Sequence, residues 1–338
     1  MSESPGANKR KIREIGEFGL IKLISEIVDQ PGDAVIVGIG DDAAAIEPPD
    51  GLALLTTDML VEDVHFRLNW LKPRELGHKS LAVNISDIAA MAGVPRFAVV
   101  SLALDPNLPV SVVEEFYLGA LEACEPHGIR IVGGDVSKGE KFAVNVALLG
   151  SVERELLRRR DEAKPGELLL VTGDLGASAA GLAILENPAL ASATGNAERL
   201  IAAHKRPSPR VAEARAASRF GASAMEDISD GLASEIAHIC EMSGVGAEVF
   251  ADSIPIAPGL NEIAPILGKE PLDLALYGGE DYELVFTAPL EMAEAIREAI
   301  GQLGVAVSEV GRITEDQELI LIKNGRESPL NGVGYAHF

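Results

Sequence analysis

Apolar residues recur at every third position from Ile15 through Phe18, Ile21, Ile24 and Ile27, a stripe that drifts slowly around an amphipathic helix ending before Pro31-Gly32. Val35 to Ile39 and Leu52 to Thr57 are short apolar runs punctuated by Gly, Pro and Asp, which predicts two strands joined by a turn. Pro73 opens a long helical stretch to Met91, closed by Gly93 and followed by Pro95. Strand-like Phe97 to Leu104, helix-like Val112 to Cys124, and strand-like Ile129 to Val132 and Phe142 to Leu149 complete an alternating block that ends near residue 150. Lys164-Pro165-Gly166 then marks a turn, and Leu168 to Thr172 reads as a strand leading through Gly173 and Gly176 into an Ala-rich helix. Helices over 195–204, 208–219 and Leu232 to Met242, a short strand before Asp227, and strands over 282–286 and 305–311 fill the second block. The pattern predicts an α/β (α+β) protein with mixed sheets flanked by helices and two domains, residues 1–150 and 151–338. One large α/β domain with an irregular middle is the alternative.

Composition narrows the partners. The 338 residues are 47% apolar with one Trp, four Tyr and nine Phe, so the core is built mainly from Ala, Val, Ile and Leu. A net charge of −23 opposes contact with phosphate backbones and anionic lipid, and the basic runs Lys9 to Arg13 and Arg158 to Arg160 are too short to offset it. Neither nucleic acid nor a membrane surface is expected as a partner. The N-terminal charges precede no apolar stretch of signal-peptide length, and runs such as Phe97 to Val100 fall far below the ~20 residues of a membrane span. Cys124 and Cys240 are far apart and lack a CxxC or a His at ligand spacing, as expected of buried thiols in the cytoplasm.

The chemistry concentrates at aspartates beside Gly, Ser or Thr. Asp41 and Asp42 follow Gly38-Ile39-Gly40, Asp58 follows Thr56-Thr57, Asp87 ends Asn84-Ile85-Ser86-Asp87, Asp135 follows Gly133-Gly134, and Asp227 and Asp230 bracket Ile228-Ser229. Most stand at predicted strand ends or helix starts. Short carboxylates on such turns serve as caps and turn formers, or they converge on a hard cation. Carboxylates that converge must protonate or bind metal, and an all-oxygen donor set suits Mg²⁺ and phosphate. Gly38-Ile39-Gly40-Asp41-Asp42-Ala43 approaches a dinucleotide fingerprint, but two aspartates would face the pyrophosphate and Pro48-Pro49 interrupts the helix that should follow. No GxxxxGK[ST] is present, so any ATP site must hold its phosphates through Mg²⁺ and carboxylates.

Read together, GIGDDAA (38–44), TTDMLVEDVHF (56–66), KSLAVNISDIAAMAG (79–93), GGD (133–135), DISDGL (227–232) and GGEDYEL (278–284) resemble thiamine-monophosphate kinase in order and spacing, through to GYAHF at 334–338. The wider superfamily includes aminoimidazole ribonucleotide synthetase, selenophosphate synthetase and the hydrogenase-maturation dehydratase. The resemblance implies a two-domain fold like aminoimidazole ribonucleotide synthetase, a homodimer formed through the N-terminal domains, and ATP in a cleft between domains. It implies transfer of the γ-phosphoryl of ATP to thiamine monophosphate, the last step of thiamine diphosphate biosynthesis. Carried over motif by motif, Asp42, Thr57, Asp58, Asp87, Asp135, Asp227 and Asp230 would hold several Mg²⁺ ions, with Thr56 a backbone or hydroxyl ligand. Gly134, Asp135, Arg160 and Ser229 would meet ATP, and His65, Glu280 and Tyr335 the thiamine phosphate. Where the family often reads Ser-Thr-Asp this chain reads Thr56-Thr57-Asp58, which keeps the oxygen.

No covalent nucleophile or protein base is required by that chemistry. A phosphate monoester with a second pKa of roughly 6 is largely a dianion near neutral pH and is itself the nucleophile. The alternatives are another ATP-dependent enzyme of the superfamily, and a non-enzymatic acidic protein that binds metal or nucleotide without consuming ATP.

Overall fold

The computed structural model describes residues 10–28, 34–40, 42–48 and 50–332, which divide into two compact units. The first comprises the chain to Ile85 together with Val94–Ser151, and the second Ser86–Gly93 together with the chain from Val152.

The first unit contains α1 (Ile12–Val28), β1 (Val35–Val37), β2 (Ala45–Ile46), β3 (Leu52–Val61), most of α2 (Pro73–Ala90), β4 (Val94–Leu104), α3 (Val110–Cys124), β5 (Arg130–Lys138) and β6 (Ala143–Val152). Its main sheet runs β3-β6-β4-β5, with β4 antiparallel to β6 and parallel to β5. On β6 the pleat buries Val144, Val146 and Leu148 in alternation, as a half-buried strand must. Phe66 meets Phe142 edge-on at 6.0 Å, and Phe142 lies 5.9 Å from Phe116 of α3.

The backbones of α2 and α3 come close because glycines face each other. A Cβ on Gly77 would lie 1.8 Å from the Phe116 carbonyl oxygen, and one on Gly119 1.8 Å from that of Arg74. From Leu76 to Ser86 α2 is almost wholly buried, and two of its polar side chains, Ser80 and Asn84, bond back along their own helix. Ser80 Oγ donates to the Leu76 carbonyl at 2.7 Å, and Asn84 Nδ2 to that of Ser80 at 3.0 Å.

Four elements of this unit differ from the sequence expectation. The buried face of α1 is Ile12, Leu20, Ile24 and Val28, while Phe18 is 84% exposed. Gly16, at φ 67° and ψ 179°, interrupts the helix and resets its phase, so a stripe counted across it fails. The partner of β1 is Ala45–Ile46, not the Leu52 strand, which instead joins the main sheet beside β6. Both β3 and β5 run longer than expected, so Asp58 and Asp135 lie within strands rather than at their ends.

The second unit contains β7 (Leu168–Thr172), α4 (Ala177–Glu186), α5 (Ala197–Lys205), α6 (Val211–Arg219), β8 (Met225–Asp227), α7 (Leu232–Ser243), β9 (Gly246–Phe250), α8 (Leu260–Ile263), α9 (Pro271–Tyr277), β10 (Leu284–Ala288), α10 (Leu290–Gly301), β11 (Val307–Thr314), β12 (Leu319–Lys323) and β13 (Arg326–Pro329). Its sheet runs β13-β12-β9-β11-β7-β10-β8, antiparallel except for β9 beside β12. Val171, Val249 and Val285 of the sheet share one core with Leu232, Ile236 and Ile239 of α7. A second core joins α4, α5 and α8 through Ala180, Leu200 and Leu260. No helix among the described residues is long and apolar enough to cross a membrane.

Gly77→Ala is expected to destabilise the protein by about 1–3 kcal/mol, because the added methyl meets backbone rather than a side chain that can turn away. Urea denaturation followed by circular dichroism measures the loss.

Candidate functional site

In the first unit the pleat of β3 sorts the Thr-Thr-Asp motif. Thr56 and Asp58 alternate with Thr57, so the first two share a face. Asp58 is fixed from α2, where Asn84 Oδ1 accepts its backbone N–H at 3.1 Å. Thr57 turns away, its hydroxyl within 2.9 Å of the Val146 carbonyl and 3.2 Å of Asn145 Oδ1 on β6. His65 Nδ1 accepts the Val61 N–H at 3.0 Å, which assigns the ring proton of a neutral imidazole to Nε2.

Gly134 and Asp135 sit on β5, the outer strand opposite β3. A Cβ on Gly134 would come within 1.9 Å of the Val100 carbonyl oxygen, so the position admits only glycine. Asp135 Oδ2 accepts the Ser137 hydroxyl at 3.0 Å. Asp135 and Asp58 lie on the two outer strands of the sheet, three strand spacings apart in its order. Asp42 is exposed in the loop between β1 and β2, and Tyr335 lies outside the described residues.

The second unit does assemble its motifs. Ser86 Oγ donates to Asp227 Oδ2 at 2.6 Å. Burial, followed by the charge of Asp87, pushes the Asp227 carboxyl up to about 7. The turn after Asp227 is held from below by Glu235 of α7, whose Oε1 accepts the N–H of Ser229 at 2.8 Å and of Asp230 at 2.7 Å. From the other side the GGEDYE segment is laced to the same turn. The Glu280 N–H donates to the Ser229 carbonyl at 2.7 Å, the Tyr282 N–H to that of Ile228 at 2.9 Å, and the Ile228 N–H to that of Glu283 at 2.7 Å. Glu280 and Tyr282 adopt φ of 67° and 52°, a left-handed backbone that non-glycine residues tolerate only where the surroundings impose it.

Around this lattice lie buried polar anchors. Asp281 accepts the N–H of Gly176 at 2.7 Å and of Ser178 at 3.2 Å at the start of α4. Glu283 is held by both arms of the Arg210 guanidinium and by Thr172 Oγ1 at 2.6 Å. His204, 2% exposed, places Nδ1 3.2 Å from Glu280 Oε2 and 3.1 Å from Ser178 Oγ. Arg160 Nη2 lies 2.9 Å from Glu226 Oε1, and the same oxygen is 3.1 Å from His238 Nδ1. Burial, only partly countered by Arg160, pushes the Glu226 carboxyl up to about 9.

Comparison with known proteins fits this architecture. Residues 40–152 match the AIR synthase related protein, N-terminal domain, and residues 164–324 its C-terminal domain. Thiamine-monophosphate kinase of Bacillus subtilis (strain 168) is 39% identical over 95% of this chain and 99% of its own length, and that of Aquifex aeolicus (strain VF5) 37% identical over 97% and 100%. The chain belongs to the thiamine-monophosphate kinase family. The solved thiamine-monophosphate kinase from Stenotrophomonas maltophilia K279a superposes with a TM-score of 0.80 at 34% identity, covering 91% of this chain and 95% of that one. AaThiL complexed with AMPPCP and TMP superposes with a TM-score of 0.75 at 36% identity, covering 97% and 99%.

Within this kinase family architecture, Asp87, Asp227, Ser229, Asp230 and Glu280 are linked in the second unit by the bonds and charges described, and Arg160 reaches the adjoining Glu226. In the first unit Thr56 and Asp58 share a face, whereas Asp42 and Asp135 stand on other elements. Sequence reasoning missed Glu235, Glu226, His238, His204 and Asn84. An acid in the first turn of a helix just after a glycine was a signal for Glu235, since such a residue reaches back to upstream N–H groups. His204 offered none, because its partners Ser178 and Glu280 are remote in sequence.

Replacing Glu235 by Ala strips the acceptor from two backbone N–H groups and is expected to cost about 1–3 kcal/mol for each one left unsatisfied. Glu235→Gln, which keeps one acceptor oxygen, is expected to lose less. Denaturant melts of the two variants against wild type measure the difference.

Proposed function

We propose that this protein transfers the γ-phosphoryl group of ATP to thiamine monophosphate, forming thiamine diphosphate and ADP with Mg²⁺ as cofactor. The acceptor and donor come from the family, whose member AaThiL is complexed with AMPPCP and TMP. The observation that carries the cation is the crowding of Asp87 and Asp227, where burial and like charge raise Asp227 to about 7. Hard oxygen donors forced together in this way suit Mg²⁺. Asp42, Thr56, Thr57, Asp58, Asp87, Asp135, Asp227 and Asp230 are the proposed ligands. When bound, Mg²⁺ supplies positive charge that offsets repulsion between the two phosphate groups.

The protein's own residues then have positioning roles. Ser229 sits on a turn held on both sides, by Glu235 and by the Glu280 segment, and is suited to meet the ATP phosphates without reorganising. Gly134 offers a backbone free of a side chain, and Arg160 a guanidinium for phosphate oxygens. His65, with its proton on Nε2, can donate to the thiamine phosphate, and Glu280, steadied by His204, can accept from the thiamine moiety. Tyr335 completes the proposed substrate contacts. The acceptor phosphate attacks directly, in line, with no covalent intermediate on the protein. We place the enzyme in the cytoplasm, as a homodimer joined through the first unit. Leu55 and Met59, 77% and 56% exposed on the outer strand β3, are consistent with such a contact.

Incubation with ATP, Mg²⁺ and thiamine monophosphate is expected to yield thiamine diphosphate and matching ADP on chromatography, and none when magnesium is withheld. Asp58→Asn and Asp230→Asn are each expected to abolish turnover while circular dichroism shows the fold retained; wild-type rates in either would remove that residue from the site. With a chiral thiophosphoryl donor, inversion at phosphorus is expected, and retention would rule out direct transfer.

A further inference from the structure

Strand β8 carries carboxylates on opposite faces. Asp227 turns to Ser86, whereas Glu226 turns to α7 and meets Glu235 and His238. His238 Nδ1 lies 3.1 Å from Glu226 Oε1 and 3.8 Å from Glu235 Oε2, and one donor atom from each of the three residues falls within 4.8 Å of the others. A tetrahedral ion with bonds of ~2.0–2.2 Å to N and O has donor–donor edges of about 3.3–3.6 Å, which these spacings bracket.

Two oxygens single this cluster out from an ordinary acidic surface. Glu226 Oε2 and Glu235 Oε2 are buried and accept no hydrogen bond among the described residues. The other oxygen of each is engaged, Glu235 Oε1 by the Ser229 and Asp230 N–H groups and Glu226 Oε1 by Arg160. The orphaned Glu235 Oε2 is the atom that faces His238. A buried carboxylate oxygen without a donor is costly, and a cation between these side chains removes the cost. Arg160 does not serve the orphans, since its contact is with the other oxygen of Glu226. Across the ring, His238 Nε2 lies 3.5 Å from Ser234 Oγ, so Nδ1 is the ring nitrogen that faces Glu226 and Glu235. The His238 side chain is 41% exposed, which gives an ion a way in and a water a fourth position.

We propose that Glu226, Glu235 and His238 form a second cation site, separate from the aspartate set, that takes one transition-metal ion of the Zn²⁺ or Co²⁺ type. An imidazole with two carboxylates favours such ions over Mg²⁺, which keeps an all-oxygen shell with several waters. An ion there ties Glu226 of β8 to α7 and, through Glu235 Oε1, steadies the Ser229–Asp230 turn.

The test is a Co²⁺ titration of the full-length protein in saturating Mg²⁺, which occupies the oxygen-only sites, followed by the visible absorption of four-coordinate Co²⁺. Wild type is expected to show one equivalent of absorbing Co²⁺, displaced by Zn²⁺. The signal is expected to vanish in His238→Ala and Glu226→Gln and to persist in Asp58→Asn. In parallel, Zn²⁺ is expected to raise the Tm of wild type but not of His238→Ala, a truncation at a solvent-facing ring. No absorption in wild type, an unchanged signal in His238→Ala, or its loss in Asp58→Asn would each overturn the proposal.

Discussion

In the second unit the turn that bears Ser229 and Asp230 depends on one carboxylate oxygen, Glu235 Oε1, which accepts two of its consecutive backbone N–H groups. Backbone donors at a turn face outward to solvent or to an anion unless something inside the protein fixes their direction. A fully buried acid on the first turn of α7 does so here. Gly231, at φ 123° and where a Cβ would come within 2.8 Å of the Leu276 carbonyl oxygen, lets the chain pass from turn to helix in the space that remains.

The lattice continues through residues that bear no resemblance to one another in sequence. The GGEDYE segment donates N–H groups to Ser229 and Ile228, and its side chains reach the other way, Asp281 to the start of α4 and Glu283 to Arg210. Successive residues therefore alternate between holding the site and anchoring to the core. The left-handed backbone at Glu280 and Tyr282 is the strain that this alternation demands, and it is supported by buried hydrogen bonds on both sides.

Much of this was legible beforehand, for a physical reason. Regular periodicity reports burial, so α2, β4, α3, β7 and α7 lie within a few residues of their expected bounds. Where a local break intervenes the count fails, as at Gly16, which shifts the buried face of α1 to Leu20, Ile24 and Val28. The elements β9, α8, α9, α10, β12 and β13 went unread; several are short or carry polar faces that give little pattern. Motif aspartates were legible because Asp beside Gly or Ser is a local sign. Their supports were not, since Asn84 beneath Asp58, His204 beside Glu280 and Glu226 beside Arg160 are juxtapositions made only by folding.

The three-residue strand β8 stands at the edge of its sheet beside β10, Asp227 opposite Leu284 and Glu226 opposite Val285. Because a strand alternates faces at each step, a slip of one residue in that short register would exchange the two acids: the glutamate would enter the oxygen-rich cluster and the aspartate would face the imidazole. Which acid meets which cluster is thus encoded as a parity, odd or even along three residues, and the bonds of Ile228 and Tyr282 at the strand's end hold that parity as well as the fold.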